Sequence, residues 1–252
     1  DTLDKSEHTR LTKFLEKRIL ESSEIFQDLN FFSSSQNIQK LKIDKTKRNI
    51  FLFSNIFWDV GVSDSTMLYK DIQSWVLDTI KIVQNRTDIN LYIKPHPGEE
   101  FDNAKSRKGI ESYINEEFPI LPNNVKIISP NLKINTYELF EYIDLGIVHQ
   151  GTLGLEMLCS KIPIAVVGSA YYSLLDAVTV ISSIENYKDI IFERKKISVS
   201  NMNEVNLFAY FYFIKCSMPW TLTSTAYAHD FKGYSFDNIE RLKVGSDKYL
   251  DH

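Results

Sequence analysis

The sequence predicts an α/β fold: a Rossmann-like parallel sheet flanked by helices, with helical extensions at the N- and C-terminal ends. Three observations predict it. Between residues 49 and 168, apolar runs of four to six residues alternate with stretches of helical periodicity, which is the pattern of βαβ units. The runs carry few interspersed polar residues, as strands buried on both faces do. Polar clusters follow the runs at their C-terminal ends, and a parallel sheet gathers such ends along one edge, where ligands bind.

In chain order, Thr2 to Ser22 carries Leu11, Phe14, Leu15, Ile19 and Leu20 at helical spacing, an amphipathic helix that Thr2 or Ser6 could cap. Its apolar stripe needs a partner, either the main body or a part of the protein outside this chain. Residues 23–48 read as a linker with a little helix. Strands are expected at Ile50–Phe53, Ile89–Ile93, Val125–Ser129, Leu145–Val148 and Ile164–Val167. Between the first two, residues 66–85 form a helix with Ile72, Trp75, Val76, Thr79, Ile80 and Val83 on one face. Phe101–Phe118 is a charged, helical segment, and Tyr137–Ile143 a short helix capped by Asn135 or Thr136. Helices follow at Leu153–Ser160, Asn186–Ile191 (weak) and Glu204–Met218 (strong, aromatic, read as core rather than as a binding platform). The division is a helical extension at 1–48, a Rossmann-like domain at 49–220 and a tail at 221–252.

Bulk properties narrow the function. With 43% hydrophobic and 25% charged residues the chain is an ordinary globular one, and 16 Phe and 13 Tyr against 9 Gly and 7 Pro argue for order. A net charge of −4 offers no electrostatic case for nucleic acid or an anionic membrane surface. The basic run from Lys40 to Arg48 reads as a solvated connector. The 2 cysteines, Cys159 and Cys216, lie in apolar helical contexts and read as buried reduced thiols, not a disulfide framework. No run approaches the roughly 20 apolar residues of a membrane span, and no signal peptide opens the chain, so a cytoplasmic protein is expected. There is no G-x-G-x-x-G, no P-loop, no metal-binding cluster and no G-x-S-x-G elbow.

The chemistry concentrates at three strand ends. Gly151-Thr152 opens a helix where free N–H groups and a positive dipole end suit phosphate capture, or where Thr is an ordinary cap. Glu156, one turn on, can accept a ribose diol or be a surface acid favoured by the dipole. His96, between Pro95 and Pro97, is held in a rigid turn and can donate a hydrogen bond or a proton to a leaving phosphate. Lys94 and Glu99 stand beside it as charge partner or screen. Ser54, Asn55 and Asp59 follow the first strand, Asp59 as a contact to an acceptor or a sugar, or as a turn cap. His149-Gln150 follow the fourth, with His149 reading more as a strand-end residue bonded to backbone than as a second site imidazole.

Phe51-Leu52-Phe53-Ser54-Asn55 with Trp58-Asp59, then Ile93-Lys94-Pro95-His96-Pro97-Gly98-Glu99, then Gly151-Thr152-Leu153-Gly154-Leu155-Glu156 with Pro163, resemble the capsular polysaccharide biosynthesis family over roughly residues 45–220. Its members are glycosyltransferases of the GT-B fold, similar in plan to Kdo transferases and sialyltransferases. The resemblance implies the C-terminal, nucleotide-sugar-binding half of such a fold, with the N-terminal domain, its acceptor site and its catalytic base missing from this chain. It implies His96 as the catalytic contact to the donor phosphate, Thr152 on the phosphates and Glu156 on the ribose. The other candidate substrate-binding residues are Ser54, Asn55, Asp59, Lys94, His149, Gln150 and Gly151. It further implies a nucleotide-sugar and a saccharide acceptor as partners, no metal and no separate cofactor. His149-Gln150 departs from the small or hydroxylated residues expected before Thr152, which bears on donor identity. Similar elements occur in nucleotide-sugar epimerases and polyol-phosphate transferases, and a scaffold domain that has lost its ligand is a non-enzymatic alternative.

Overall fold

Along the strand Arg48–Phe53 (β1), successive side chains enter opposite cores: Ile50 and Leu52 one, Phe51 and Phe53 the other. The same alternation runs through Ile89–Lys94 (β2), where Leu91 and Ile93 face away from Tyr92, and through Leu145–Val148 (β4), where Leu145 and Ile147 face away from Val148 once Val125–Ile127 (β3) has intervened. A strand buried on both faces needs layers on both sides, and the helices supply them.

The computed structural model describes residues 2–25, 36–56, 68–100, 108–132, 134–193 and 196–217, with the isolated positions 240, 243 and 246. Completed by Ile164–Val166 (β5) and Thr179–Val180 (β6), the described strands form one parallel sheet in the order β3-β2-β1-β4-β5-β6. The five expected strands are present, and β6 adds a sixth. Its two residues at the sheet edge are too short to leave a periodic signature. The order reverses between β1 and β4, so the chain leaves their C-terminal ends in opposite directions and opens a crevice there.

One core lies under Ile72–Val83 (α3), Ile110–Glu117 (α4) and Ile184–Ile191 (α6). The six residues expected on the inner face of α3 are its six buried ones, and Asp71 caps it by accepting the Ser74 N–H at 2.6 Å. The opposite core lies under Lys5–Ile25 (α1), Thr152–Cys159 (α5) and Met202–Tyr210 (α7), with Gln36–Lys40 (α2) at its margin. The α1 stripe thus finds its partner in the main body: Leu3 and Leu11 are buried, and Phe14 stacks on Phe213 at 5.2 Å.

Several details differ from the sequence reading. Helix α1 is capped by Asp4, whose carboxylate accepts the Glu7 N–H at 2.8 Å while Glu7 accepts the Asp4 N–H at 3.1 Å, a reciprocal box that neither Thr2 nor Ser6 provides. The segment Thr136–Tyr142 is a 3-10 helix, with Asn135 as its cap. Of the charged 101–118 helix, α4 begins at Ile110, and residues 101–107 lie outside the described residues. The aromatic helix is α up to Tyr210 and then widens into a π-turn, Phe211–Lys215, which leaves Phe211 and Tyr212 exposed while Tyr210 and Phe213 are buried. Cys216 follows that turn and is exposed, and Cys159 is half-buried. The end of the basic run is no connector, since Arg48 starts β1 and pairs with Glu193 at 2.7 Å.

Candidate functional site

Phe53 stands level with Lys94 on one side and Val148 on the other, so the residues that follow β1, β2 and β4 meet at the reversal point. After β1, Ser54 donates its N–H to the Lys94 carbonyl at 3.2 Å, and its Oγ is buried with no hydrogen-bond partner among the described residues. Asn55 beside it is half-buried. Asp59 lies outside the described residues.

Lys94 ends β2 with 6% of its surface exposed. Desolvation pushes its ammonium down to about 8, and no carboxylate among the described residues pairs with it. Glu99 is engaged elsewhere: its buried Oε2 accepts the Ile110 N–H at 3.1 Å and caps α4, whose N-cap residue, Gly109, has no side chain for the task. His96 is exposed, and its Nδ1 accepts the Gly98 N–H at 3.0 Å. That bond places the proton of the neutral ring on Nε2, leaving the imidazole a donor through that nitrogen.

After β4, His149 is fully buried, its Nδ1 3.3 Å from Gln150 Nε2 and its ring against Gly168. It sits under the site rather than at its surface, and Gln150 is half-buried above it. Gly151 turns the chain at φ 103 and is the N-cap of α5 with no side-chain cap bond. The first N–H groups of α5 therefore lack the capping acceptor that most helices supply. Thr152 is the first helical residue, not the cap.

Glu156 is 4% exposed, and both its oxygens are engaged. Arg18 of α1 bonds Oε1 through Nε, and Tyr137 donates its hydroxyl to Oε2 at 2.8 Å. The Arg18 Nη2 also reaches Thr152 Oγ1 at 3.2 Å. Burial works against the Arg18 charge, but the pull and hydrogen bond of Glu156, with Tyr137, outweigh it and raise its pKa. Burial pushes the Tyr137 phenol up, with the Glu156 charge adding to it. Burial likewise pushes the Cys159 thiol up to about 12, which disfavours its thiolate form.

The structure thus brings Ser54, Asn55, Lys94, His96 and Gly151–Thr152 to one sheet edge, and sets Glu156 behind Thr152 in an ion pair. Sequence reading missed Arg18 and Tyr137. A signal for Arg18 was present, since it falls seven residues after Leu11 and four after Phe14, on the apolar face of α1. A cation at such a position calls for a buried acid.

Residues 8–210 match the family described as capsule polysaccharide biosynthesis protein. No curated protein matches the chain. Among solved structures it is similar to the Thermosulfurimonas dismutans KpsC beta Kdo 2,7 transferase, with 14% identity, TM-score 0.43, and coverage of 81% of this chain and 52% of that one. The beta Kdo 2,4 transferase of the same KpsC gives 14% identity, TM-score 0.44, and coverage of 78% and 54%. The UDP-GlcNAc 2-epimerase from Neisseria meningitidis gives 14% identity, TM-score 0.46, and coverage of 78% and 50%. The chain spans about half the length of these structures. With the family match running from α1 to the end of α7, the chain belongs to the capsule polysaccharide biosynthesis family.

Proposed function

We propose that this domain binds the nucleotide-sugar donor of a GT-B glycosyltransferase that builds a surface polysaccharide. The observation that carries the reading is the reversal point itself. There an uncapped helix start, a buried lysine and a buried serine hydroxyl, the last two without partners among the described residues, stand at neighbouring strand ends. Each is a donor or a cation lacking an acceptor, and a diphosphate supplies acceptors and negative charge.

Docked there, the diphosphate takes the N–H groups of Thr152 and the residues after it, with the Gly151 turn allowing close approach. The Nε2–H of His96 donates to the leaving phosphate as the glycosidic bond breaks, stabilising the developing charge and supplying a proton where one is needed. Lys94 contributes positive charge from below. Glu156 offers a carboxylate to the ribose. The acceptor and the base that activates it come from the other half of the cleft, so the isolated chain is expected to bind donor without transferring sugar.

A thermal-shift panel of CMP, CDP, UDP and GDP tests this. One nucleotide at 100 times its dissociation constant is expected to stabilise the chain by about 2.7 kcal/mol. No shift with any of the four overturns the reading. Sugar transfer by the chain alone to a polysaccharide acceptor would overturn the need for a second half.

A further inference from the structure

Arg18 is the charged group that the donor-binding reading leaves unused. It lies on the apolar face of α1, one turn beyond Phe14. Its guanidinium lies 5.7 Å from the Phe213 ring centroid and is directed at the start of α5, with Nε on Glu156 and Nη2 at 3.2 Å from Thr152 Oγ1. Within the ion pair the two partners differ in access: the Glu156 side chain is 4% exposed, that of Arg18 40%. A ligand arriving at the α5 N-terminus therefore meets the cation before the acid. The fork geometry adds to this. With Nε on Glu156, one Nη2 hydrogen on Thr152 and the Tyr137 hydroxyl a further neighbour of the guanidinium, the edge formed by Nη1 and the remaining Nη2 hydrogen is the one suited to grip a phosphate in bidentate fashion. Independently, the buried Ser54 hydroxyl and the buried Lys94 ammonium at the neighbouring strand ends also lack acceptors among the described residues.

We propose that Arg18 is a phosphate-binding residue of the site, delivered by the N-terminal helix and held in position by Glu156 and Tyr137. The inference rests on the donor-binding reading above and extends it to a residue outside the sheet and its loops. The two roles of Glu156 are compatible: Nε stays on Oε1 while the other edge of the fork takes the phosphate, and the carboxylate oxygens keep second lone pairs for a ribose hydroxyl.

The test titrates the full 252-residue chain and its Arg18→Met and Arg18→Lys variants with three probes: inorganic pyrophosphate, UDP or CDP, and the matching nucleoside. Arg18→Met is expected to weaken pyrophosphate and the nucleotide by roughly ten- to a hundredfold, as loss of a charge-assisted contact does, and to leave the nucleoside unchanged. A merely structural role would move all three probes together. Arg18→Lys keeps the charge beside Glu156 but lacks the fork, so an intermediate loss is expected, and it decides the matter if Arg18→Met does not fold. Nucleotide affinity equal in wild type and variants overturns the role of Arg18 and leaves the donor reading standing. Arg18-dependent pyrophosphate binding without any nucleotide binding does the reverse. Failure of the wild-type chain to bind any probe overturns both.

Discussion

The Tyr172 hydroxyl donates to the Gly151 carbonyl at 3.0 Å and so ties the loop after β5 to the turn that starts α5. To reach it the phenol passes over Gly154, where a Cβ would lie 1.9 Å from the hydroxyl oxygen. Tyr172→Phe is expected to cost about 1 kcal/mol in urea unfolding. Gly154→Ala, which must push the ring aside, is expected to cost about 1–3 kcal/mol.

Gly151→Ala separates strain from crowding. Nothing among the described residues lies within 4 Å of the added Cβ, so the cost comes from the backbone at φ 103, about 1–3 kcal/mol. Chemical denaturation measures it, and an unchanged midpoint would show that the turn relaxes freely. If the turn flattens, nucleotide affinity falls with it.

Far from the site, Thr79, Trp75 and Tyr187 form a closed hydrogen-bond network under α3. Thr79 donates to the Trp75 carbonyl at 2.8 Å, so its oxygen accepts from Tyr187 at 2.8 Å, and Tyr187 in turn accepts the Trp75 indole N–H at 3.1 Å. Burial raises the pKa of this phenol. Tyr187→Phe orphans the indole N–H and is expected to destabilise by about 1–3 kcal/mol, read as a lower unfolding midpoint with an unchanged slope.

Lys94 gives a pH-dependent signature. Its folded-state pKa lies near 8, below the 10.5 of an exposed lysine, so between those values the unfolded chain holds the extra proton. The contribution of this group to stability is therefore lowest below pH 8 and rises towards pH 10.5 as the penalty for burying the charge is removed. Lys94→Met is expected to stabilise at pH 7 by about 2–3 kcal/mol, with the gain vanishing in alkali. A bound phosphate favours the charged form, so nucleotide binding above pH 8 should take up a proton, visible as a calorimetric heat that varies with the buffer. Proton-neutral binding at that pH would remove Lys94 from the site.

The legible part of this fold was what local patterns write down. The buried face of α3 follows from a 3.6-residue period, and β1 from an unbroken apolar run. The polar clusters at the strand ends followed from the same reasoning, because a parallel sheet puts like ends together. The partner of Glu156 did not, since Arg18 lies 138 residues away and only the packing of α1 on α7 unites them. The departure of Phe211–Lys215 from α-helix was equally hidden, as its aromatic pattern suits either geometry. The sequence period also says nothing about whether a buried histidine such as His149 lies in a site or beneath it.

The central strand carries a consequence for how the chain is made. β1 pairs with β2 on one side and β4 on the other, and Asn49 bonds Asp144, 95 residues later, through its N–H and carbonyl. During synthesis one edge of β1 emerges long before the strand that covers it, with Phe51 and Phe53 on its face. Until Leu145–Val148 arrives, that edge is a template for any extended chain nearby. Refolding should accordingly be slow and concentration-sensitive, set by closure of one long loop rather than by the helices.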